Sequence, residues 1–494
     1  MSVDESIGTG TRAETDVPER LSPVNKLVIG LLLVSAFVVI LNETIMGVAL
    51  PRLMEDLNVT ASTATWLTTG FMLTMAVVIP ATGFLLQRFN LRPVFIAAMG
   101  LFSLGTLIAA IAPGFGILLL GRIVQASGTA IMMPLLMTTV LNLVHPSHRG
   151  RVMGTISIVI SVAPAIGPTV SGIILQSLSW RFMFVIVLPI AVAALVGGIR
   201  YLQNVTTPRA VAVDVLSIVL SAFAFGGLIF GLSSIGESVE GHSLLPPALP
   251  LAFGVVALGA FIWRQLVLQR RDAALLDLRT FTSFSFSLSA ALLVISMIAL
   301  FGTLIVLPIY LQSVLQLGAL ETGLLLLPGG VLMAILSPIV GRLFDRVGPR
   351  PLVPVGTIVL SITLWTMTMV LTPSTPIWGV IALHMLLSTG LAFMFTPLFT
   401  SGLGSLRREL YSHGSAIVGT VQQLAGAAGT ALFVTVLSLG TVAGLAAGGD
   451  AVTATGEGVQ AAFRVGAMIS LVAVVGSFFV RRPKNELPAG AGGH

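Results

Sequence analysis

Long apolar stretches alternate along this chain with short polar loops rich in arginine. Fourteen stretches reach the length of a membrane-crossing helix, near 27–50, 63–86, 93–112, 116–140, 151–176, 182–202, 213–233, 247–268, 284–314, 321–343, 352–371, 377–401, 413–438 and 459–480. A helix needs about 20 apolar residues to cross the hydrocarbon, whereas a closed barrel would alternate polarity residue by residue. The pattern therefore predicts an all-α polytopic membrane protein with 14 transmembrane helices. Loop charge tests the count. With both ends in the cytoplasm, only Arg52, Arg181 and Arg464 of the 25 Lys and Arg residues fall outside, and Arg122 alone lies within a span. Basic residues collect on the cytoplasmic side, and a missed span would invert every later loop. The expected location is the plasma membrane, as in a bacterial inner membrane, with multiple passes and both termini cytoplasmic.

Composition narrows the class further. Of 494 residues, 55% are hydrophobic and 9% charged, with a mean hydropathy of +1.03. A soluble surface needs far more charge. The net charge of +6 reads as topological, so no nucleic-acid partner is expected. Absence of cysteine excludes disulfides, thiolate chemistry and cysteine metal sites. Residues 1–24 are polar and acidic, without the basic start of a signal peptide, and read as a disordered cytoplasmic tail; 483–494 form a second tail. The only lysines, Lys26 and Lys484, complete no phosphate-binding loop. No HExxH motif or soluble catalytic domain is present, so the chain is not expected to be an enzyme or to hold a cofactor or metal.

The chain repeats itself. Pro80, Gly83, Arg88, Arg92 and Pro93 recur 258 positions later as Pro338, Gly341, Arg346, Arg350 and Pro351. Two six-helix halves, 25–205 and 281–482, align this way if 206–280 is an inserted two-helix hairpin with its linkers. Parallel halves of this kind are a transporter architecture with a site at their interface. The repeated loops also carry Gln87 in the first copy and Asp345 in the second. They read either as latches between the halves or as anchors obeying the positive-inside rule.

Several polar residues lie within the spans. An acid near the bilayer centre costs roughly 2.5–3.5 kcal/mol on insertion scales, so Glu43 in the first span is the first candidate for a proton carrier. Its alternatives are a carboxylate satisfied by Arg122 or Thr44, or one turned to the outer interface. Arg122 keeps its charge and serves either to tune a nearby acid or to tie helices through carbonyls. In the fifth span, Ala163, Gly167 and Ser171 share a face that permits close helix approach, and Pro164 and Pro168 loosen the helix beside Gly172. Gln422 and Gln423 in span 13, and His384 in span 12, either line a cavity or bond helix to helix. Asn42, Met46, Gln125, Met132, Met133, Met394 and Phe395 are further cavity candidates, because Met adapts to irregular shapes; core or lipid contact is the other reading. Asn58-Val59-Thr60 reads as a helix cap before a glycosylation site.

These motifs resemble those of the major facilitator superfamily. Gly341-Arg-Leu-Phe-Asp345-Arg346-Val-Gly348-Pro-Arg350 is similar to its G-x-L-x-D-R-x-G-R-[KR] loop. The first copy departs from it, with Gln87 for the Asp and Asn90 for the second Gly. Arg122-Ile-Val-Gln125-Ala126-Ser127-Gly128 resembles R-x-x-Q-G-x-G, and residues 163–172 resemble the G-x-x-x-G-P-x-x-G-G mark of drug:proton antiporters. Trp180-Arg181-Phe182-Met183-Phe184 fits the same group. Leu41-Asn42-Glu43-Thr44 through Pro51 resembles the L-D-x-T-x-x-N-V-A-L-P motif of fourteen-helix exporters, with Asn42 at the Asp position. With Trp66 to Leu73, the chain looks most like the lincomycin-resistance branch of the EmrB/QacA exporters over residues 25–480. The resemblance implies a major facilitator fold and a proton-coupled multidrug efflux antiporter, exporting amphiphilic or cationic molecules. A proton gradient would drive it, Glu43 and Arg122 would couple it, and the chain would act as a monomer in the bilayer. The alternatives are an exporter of an endogenous lipid or metabolite on the same fold, and a non-transporting receptor or scaffold.

Overall fold

The computed structural model describes residues 22–59, 61–145, 148–204, 214–239 and 245–481. The expected polar tails therefore lie almost wholly outside the described residues, as does most of the linker before the inserted hairpin. The described residues form fourteen long helices: α1 Pro23–Leu57, α2 Ala61–Arg88, α3 Leu91–Ala110, α4 Phe115–Leu143, α5 Arg149–Ser177, α6 Phe182–Tyr201, α7 Val215–Val239, α8 Ala248–Leu268, α9 Phe284–Ile309, α10 Ala319–Val347, α11 Pro349–Val370, α12 Ile377–Gly404, α13 Tyr411–Ala446 and α14 Ala451–Ser477. All fourteen are long and apolar enough to cross a membrane. Helices dominate because no water reaches the hydrocarbon core, so each span must satisfy its backbone internally.

Local chemistry sets the ends. Ser22 accepts the Asn25 amide at the start of α1, and Asn58, in the left-handed region at φ 50°, ends it. Ser283 caps α9, and Asp450 caps α14. Two boundaries differ usefully from the hydropathy pattern. α1 runs through Pro51 to Leu57, beyond the apolar run, and Glu43 lies well inside it as expected. α14 begins at Ala451 rather than near 459, because Ala454 and Gly458 pack on Gly444 and Gly440 of α13. Arg464 consequently sits within a helix, not at its start.

The helices form two six-helix groups. In the first, α5, α4 and α6 surround α1, and α3 packs on α4 and α6. In the second, α9 packs on α13, α12 and α14, and α11 on α12 and α14. The groups meet chiefly where α5 lies along α10 and where α2 meets α13. The hairpin α7–α8 rests on both α2 and α13. Trp66 of α2 meets Phe230 of α7 with ring centroids 5.8 Å apart. Large apolar side chains such as Trp263, Val256 and Met369 remain exposed on the outside, as a bilayer-facing surface requires. The face where α1 starts and α14 ends is called here the terminal face, and the opposite one the far face.

Candidate functional site

The candidate site is built around one buried cation. Arg122 enters from α4 with a side chain 1% exposed. A guanidinium there must find acceptors, and α4 alone provides one, the Gln125 Oε1 at 2.7 Å. The rest come from other helices. Arg122 Nη1 donates to Asn42 Oδ1 of α1 at 3.0 Å, and Nε to the Leu67 carbonyl of α2 at 3.5 Å. Its Cζ lies 4.0 Å from the ring centroid of Phe71, a cation–π contact strengthened by desolvation. Gln125 in turn donates to Thr106 Oγ1 of α3 at 2.7 Å. Four helices are thus tied to one side chain.

Glu43 follows Asn42 but points elsewhere, since one residue turns a helix by about 100°. Its side chain keeps some exposure although protein surrounds it, and Arg122 acts on it through charge rather than contact. Glu43 is therefore a partly exposed carboxylate within a membrane-length helix. Asn42, with the Nδ2 of its amide buried and unpartnered, takes the hydrogen bond to the guanidinium. The contacts of Arg122 are those of a side chain that ties helices together, and it also lies near Glu43.

The fifth-span motif meets this site. A Cβ at Gly167 would lie 3.0 Å from Thr44 Cβ, so only glycine lets α5 approach α1 this closely. Thr44 Oγ1 donates to the Ala163 carbonyl at 3.3 Å. Two residues on from Gly167, Thr169 touches α10, where a Cβ at Gly323 would lie 3.1 Å from Thr169 Oγ1. α5 therefore connects the Glu43 helix to the second half. Pro164 is partly exposed beside it, and nothing stands within 4 Å of a Cβ at Gly172.

The repeated loops form two unlike latches at the terminal face. Asp345 accepts the Gly150 amide at 2.8 Å and the Arg151 amide at 3.0 Å, with one oxygen on each. A carboxylate thus sits on the N-terminus of α5, where the helix dipole favours negative charge. Beside it, Gly150 and Gly341 touch through their backbones; a Cβ at Gly150 would lie 2.6 Å from the Gly341 carbonyl. In the other latch Gln87 Nε2 donates to Ser412 Oγ at 3.2 Å and lies 2.5 Å from His413 Nε2, both on the first turn of α13. Arg149 stacks over Tyr411, 5.3 Å from its ring centroid, and Arg408 donates to Asn142 at 3.3 Å. Gly83 faces Ala416 and His413. The motif arginines Arg88, Arg346 and Arg350 are exposed, and Arg92 donates to the Ile199 carbonyl at 2.5 Å.

The other sequence candidates divide by burial. Met133, Gln422 and Gln423 are partly exposed. Asn42, Met46, Gln125, Met132, Met394 and Phe395 are fully buried. Met394 Sδ accepts from Ser296 at 3.8 Å, and Phe395 lies 6.2 Å from Phe399 by centroids. His384 packs within the second half, its imidazole against Gly329 of α10, with Nδ1 buried and unpartnered. Among the described residues no three His, Asp or Glu side chains gather as metal ligands would. Sequence reasoning missed Phe71, Thr106, Ser412 and His413. Phe71 lies within the quoted Trp66–Leu73 run, but no spacing pairs it with Arg122 across two helices.

Comparison with known proteins bears on the family and the fold. The chain is 43% identical over 463 residues to the uncharacterized MFS-type transporter YcnB of Bacillus subtilis (strain 168), covering 94% of this chain and 96% of that one. It is 42% identical over 459 residues to the lincomycin resistance protein LmrB of the same organism, covering 92% and 95%. The human organic anion transporter MFSD10 has the same fold, with a TM-score of 0.65 at 16% identity over 92% of this chain and all of that one. The sequence pattern of the family matches residues 32–430. Repeated loops, paired six-helix groups and these relatives agree, and the chain belongs to the Major Facilitator Superfamily.

Proposed function

We propose that this protein is a proton-coupled efflux antiporter of the plasma membrane, exporting amphiphilic or cationic small molecules. The terminal face is cytoplasmic in this reading, as the arginine distribution requires. The latched terminal face is one end state of alternating access, and release of both latches would open the path to the cytoplasm. The observation that carries the proposal is Glu43: a partly exposed carboxylate inside a membrane-length helix, next to Asn42, which accepts from a buried guanidinium also bonded to Gln125 and stacked on Phe71. Protonation removes the charge that attracts a cationic substrate and deprotonation restores it, so proton and substrate compete for one group. The α5 motif transmits the change, because Gly167 touches Thr44, next to Glu43, and Thr169 touches α10. Relatives named for lincomycin and multidrug resistance support export of drug-like molecules.

The test is reconstitution into vesicles with an imposed pH difference. Glu43→Gln keeps size and hydrogen bonding but carries no proton. It is expected to abolish uphill export of a cationic substrate while sparing downhill exchange. Uphill export by Glu43→Gln at the wild-type rate would remove Glu43 from the coupling step. A substrate panel run on the wild-type protein separates drug export from export of an endogenous lipid or metabolite.

A further inference from the structure

The segment that follows the inserted hairpin is buried like a core element, although it is a loop. Leu275, Leu276 and Asp277 are each 3% exposed. Buried loop backbone needs partners for its N–H and C=O groups, and here both ends of the requirement are met by different parts of the molecule. Gln265, near the end of α8 and fully buried, accepts the Leu275 amide at 2.8 Å and the Leu276 amide at 3.2 Å on one oxygen. Its Nε2 donates to Ser217 Oγ of α7 at 2.8 Å. Ser217 donates to Asp214, which Arg264 clasps through two hydrogen bonds of 2.9 and 2.7 Å. The hairpin therefore holds this segment through its own polar chain.

On its other side the segment enters the Gln87 latch. The Leu275 carbonyl lies 3.2 Å from His413 Nδ1 of α13. A carbonyl can only accept, so Nδ1 carries the proton and Nε2 is left to accept from Gln87 of α2. The same carbonyl would lie 3.4 Å from a Cβ at Gly83 of α2. One backbone oxygen thus touches both halves at the point where they close, and it sets the tautomer that lets Gln87 bond His413.

We infer that residues 273–277 are a strap belonging to the cytoplasmic latch, and that Gln265 is its positioning residue. The inserted hairpin bears on alternating access through this strap: opening the terminal face requires Leu275 to leave either His413 or Gly83. This rests on the alternating-access part of the reading above and is independent of proton coupling at Glu43.

The chain has no cysteine, so single-cysteine reporters test it directly. Ala416→Cys reports on the latch, because Ala416 is buried opposite Gly83. Ser361→Cys, buried at the contact with Ser470 of α14, reports on general loosening. Gln265→Leu removes the acceptor at similar volume and is expected to speed thiol labelling at position 416 by about tenfold, as loss of about two net hydrogen bonds would shift the closed population. Labelling at position 361 stays unchanged, and Gln265→Glu, which keeps an acceptor for both amides, restores protection at 416. Should Gln265→Leu fail to fold, Ser217→Ala, which withdraws support from Gln265, is expected to raise labelling at 416 in the same direction. Unchanged labelling at 416 in the folded variant, or equal increases at 416 and 361, would overturn the assignment. Neither result depends on whether Glu43→Gln transports, so failure of the strap and failure of the coupling proposal are told apart.

Discussion

A single residue step separates two different side-chain environments in the first helix. Asn42 takes the guanidinium of Arg122, whereas Glu43 is partly exposed. Asn42 does this imperfectly, because its Nδ2 is buried without a partner. Asn42→Asp would remove that orphan donor and turn a bond with one charged partner into an ion pair, a gain of about 1–2 kcal/mol. A rise in the thermal unfolding midpoint of the purified protein is the expected result; a fall would mean that a second acid beside Glu43 costs more than the orphan amide. Arg122→Lys should do the opposite. Lysine cannot reach Asn42, Gln125 and the Phe71 face together, so it is expected to lower the midpoint and impair export even at matched expression.

At the scale of elements, α5 carries most of the contact between the halves. A Cβ at Gly154 would lie 2.5 Å from the Ser337 carbonyl and 3.0 Å from Pro338 Cα, both backbone atoms that cannot rotate away. Gly154→Val therefore forces α5 from α10 at a cost of about 1–3 kcal/mol. It is expected to favour the terminal-face-open state, read as faster labelling of a cysteine at position 416. The two latches should also differ in strength. Asp345→Asn leaves only a neutral group facing the α5 N-terminus, whereas Gln87→Ala removes neutral bonds to Ser412 and His413. Asp345→Asn is expected to reduce transport more; equal losses at matched expression would count against this. The hairpin base adds a pH signature. Hydrogen bonding from Arg264, and from Ser217, holds the Asp214 carboxyl below its usual range. A depressed folded-state pKa contributes stability that is complete above the unfolded value of about 4 and is lost as pH falls through the folded value. With both side chains partly exposed, screening limits this to about 1 kcal/mol. Melts of wild type and Asp214→Asn should differ at neutral pH and converge in acid; a constant gap would contradict the assignment.

For the whole molecule, fourteen spans and the arginine distribution predict an outward location for the α11–α12 loop. Ser374 is exposed there, and a Ser374→Cys variant is expected to react with an impermeant thiol reagent from outside the cell only. Reaction solely from the cytoplasmic side would invert the topology. The hairpin α7–α8 lies against α2 and α13, across the seam between the halves. By position it borders the interface that alternating access would move, where the proposed strap also lies.

What the sequence by itself determined is whatever depends on neighbours in the chain. Hydropathy placed all fourteen helices, because a span is defined by a local run of apolar residues, and loop arginines supply the expectation of cytoplasmic termini. Motif spacing marked Arg122, Gln125, Gly167 and Asp345 as worth attention. Tertiary structure decided what those residues touch. The partners of Arg122 come from α1, α2 and α4, Asp345 meets amides near residue 150, and Leu275 meets His413. None of these pairings leaves a periodic trace, since each joins groups far apart in sequence through one direction of one side chain. The same holds for burial. Met132 and Met133 are adjacent and chemically identical, yet one is sealed in the core and the other is partly exposed, because helix rotation against its neighbours, not composition, sets which face is covered.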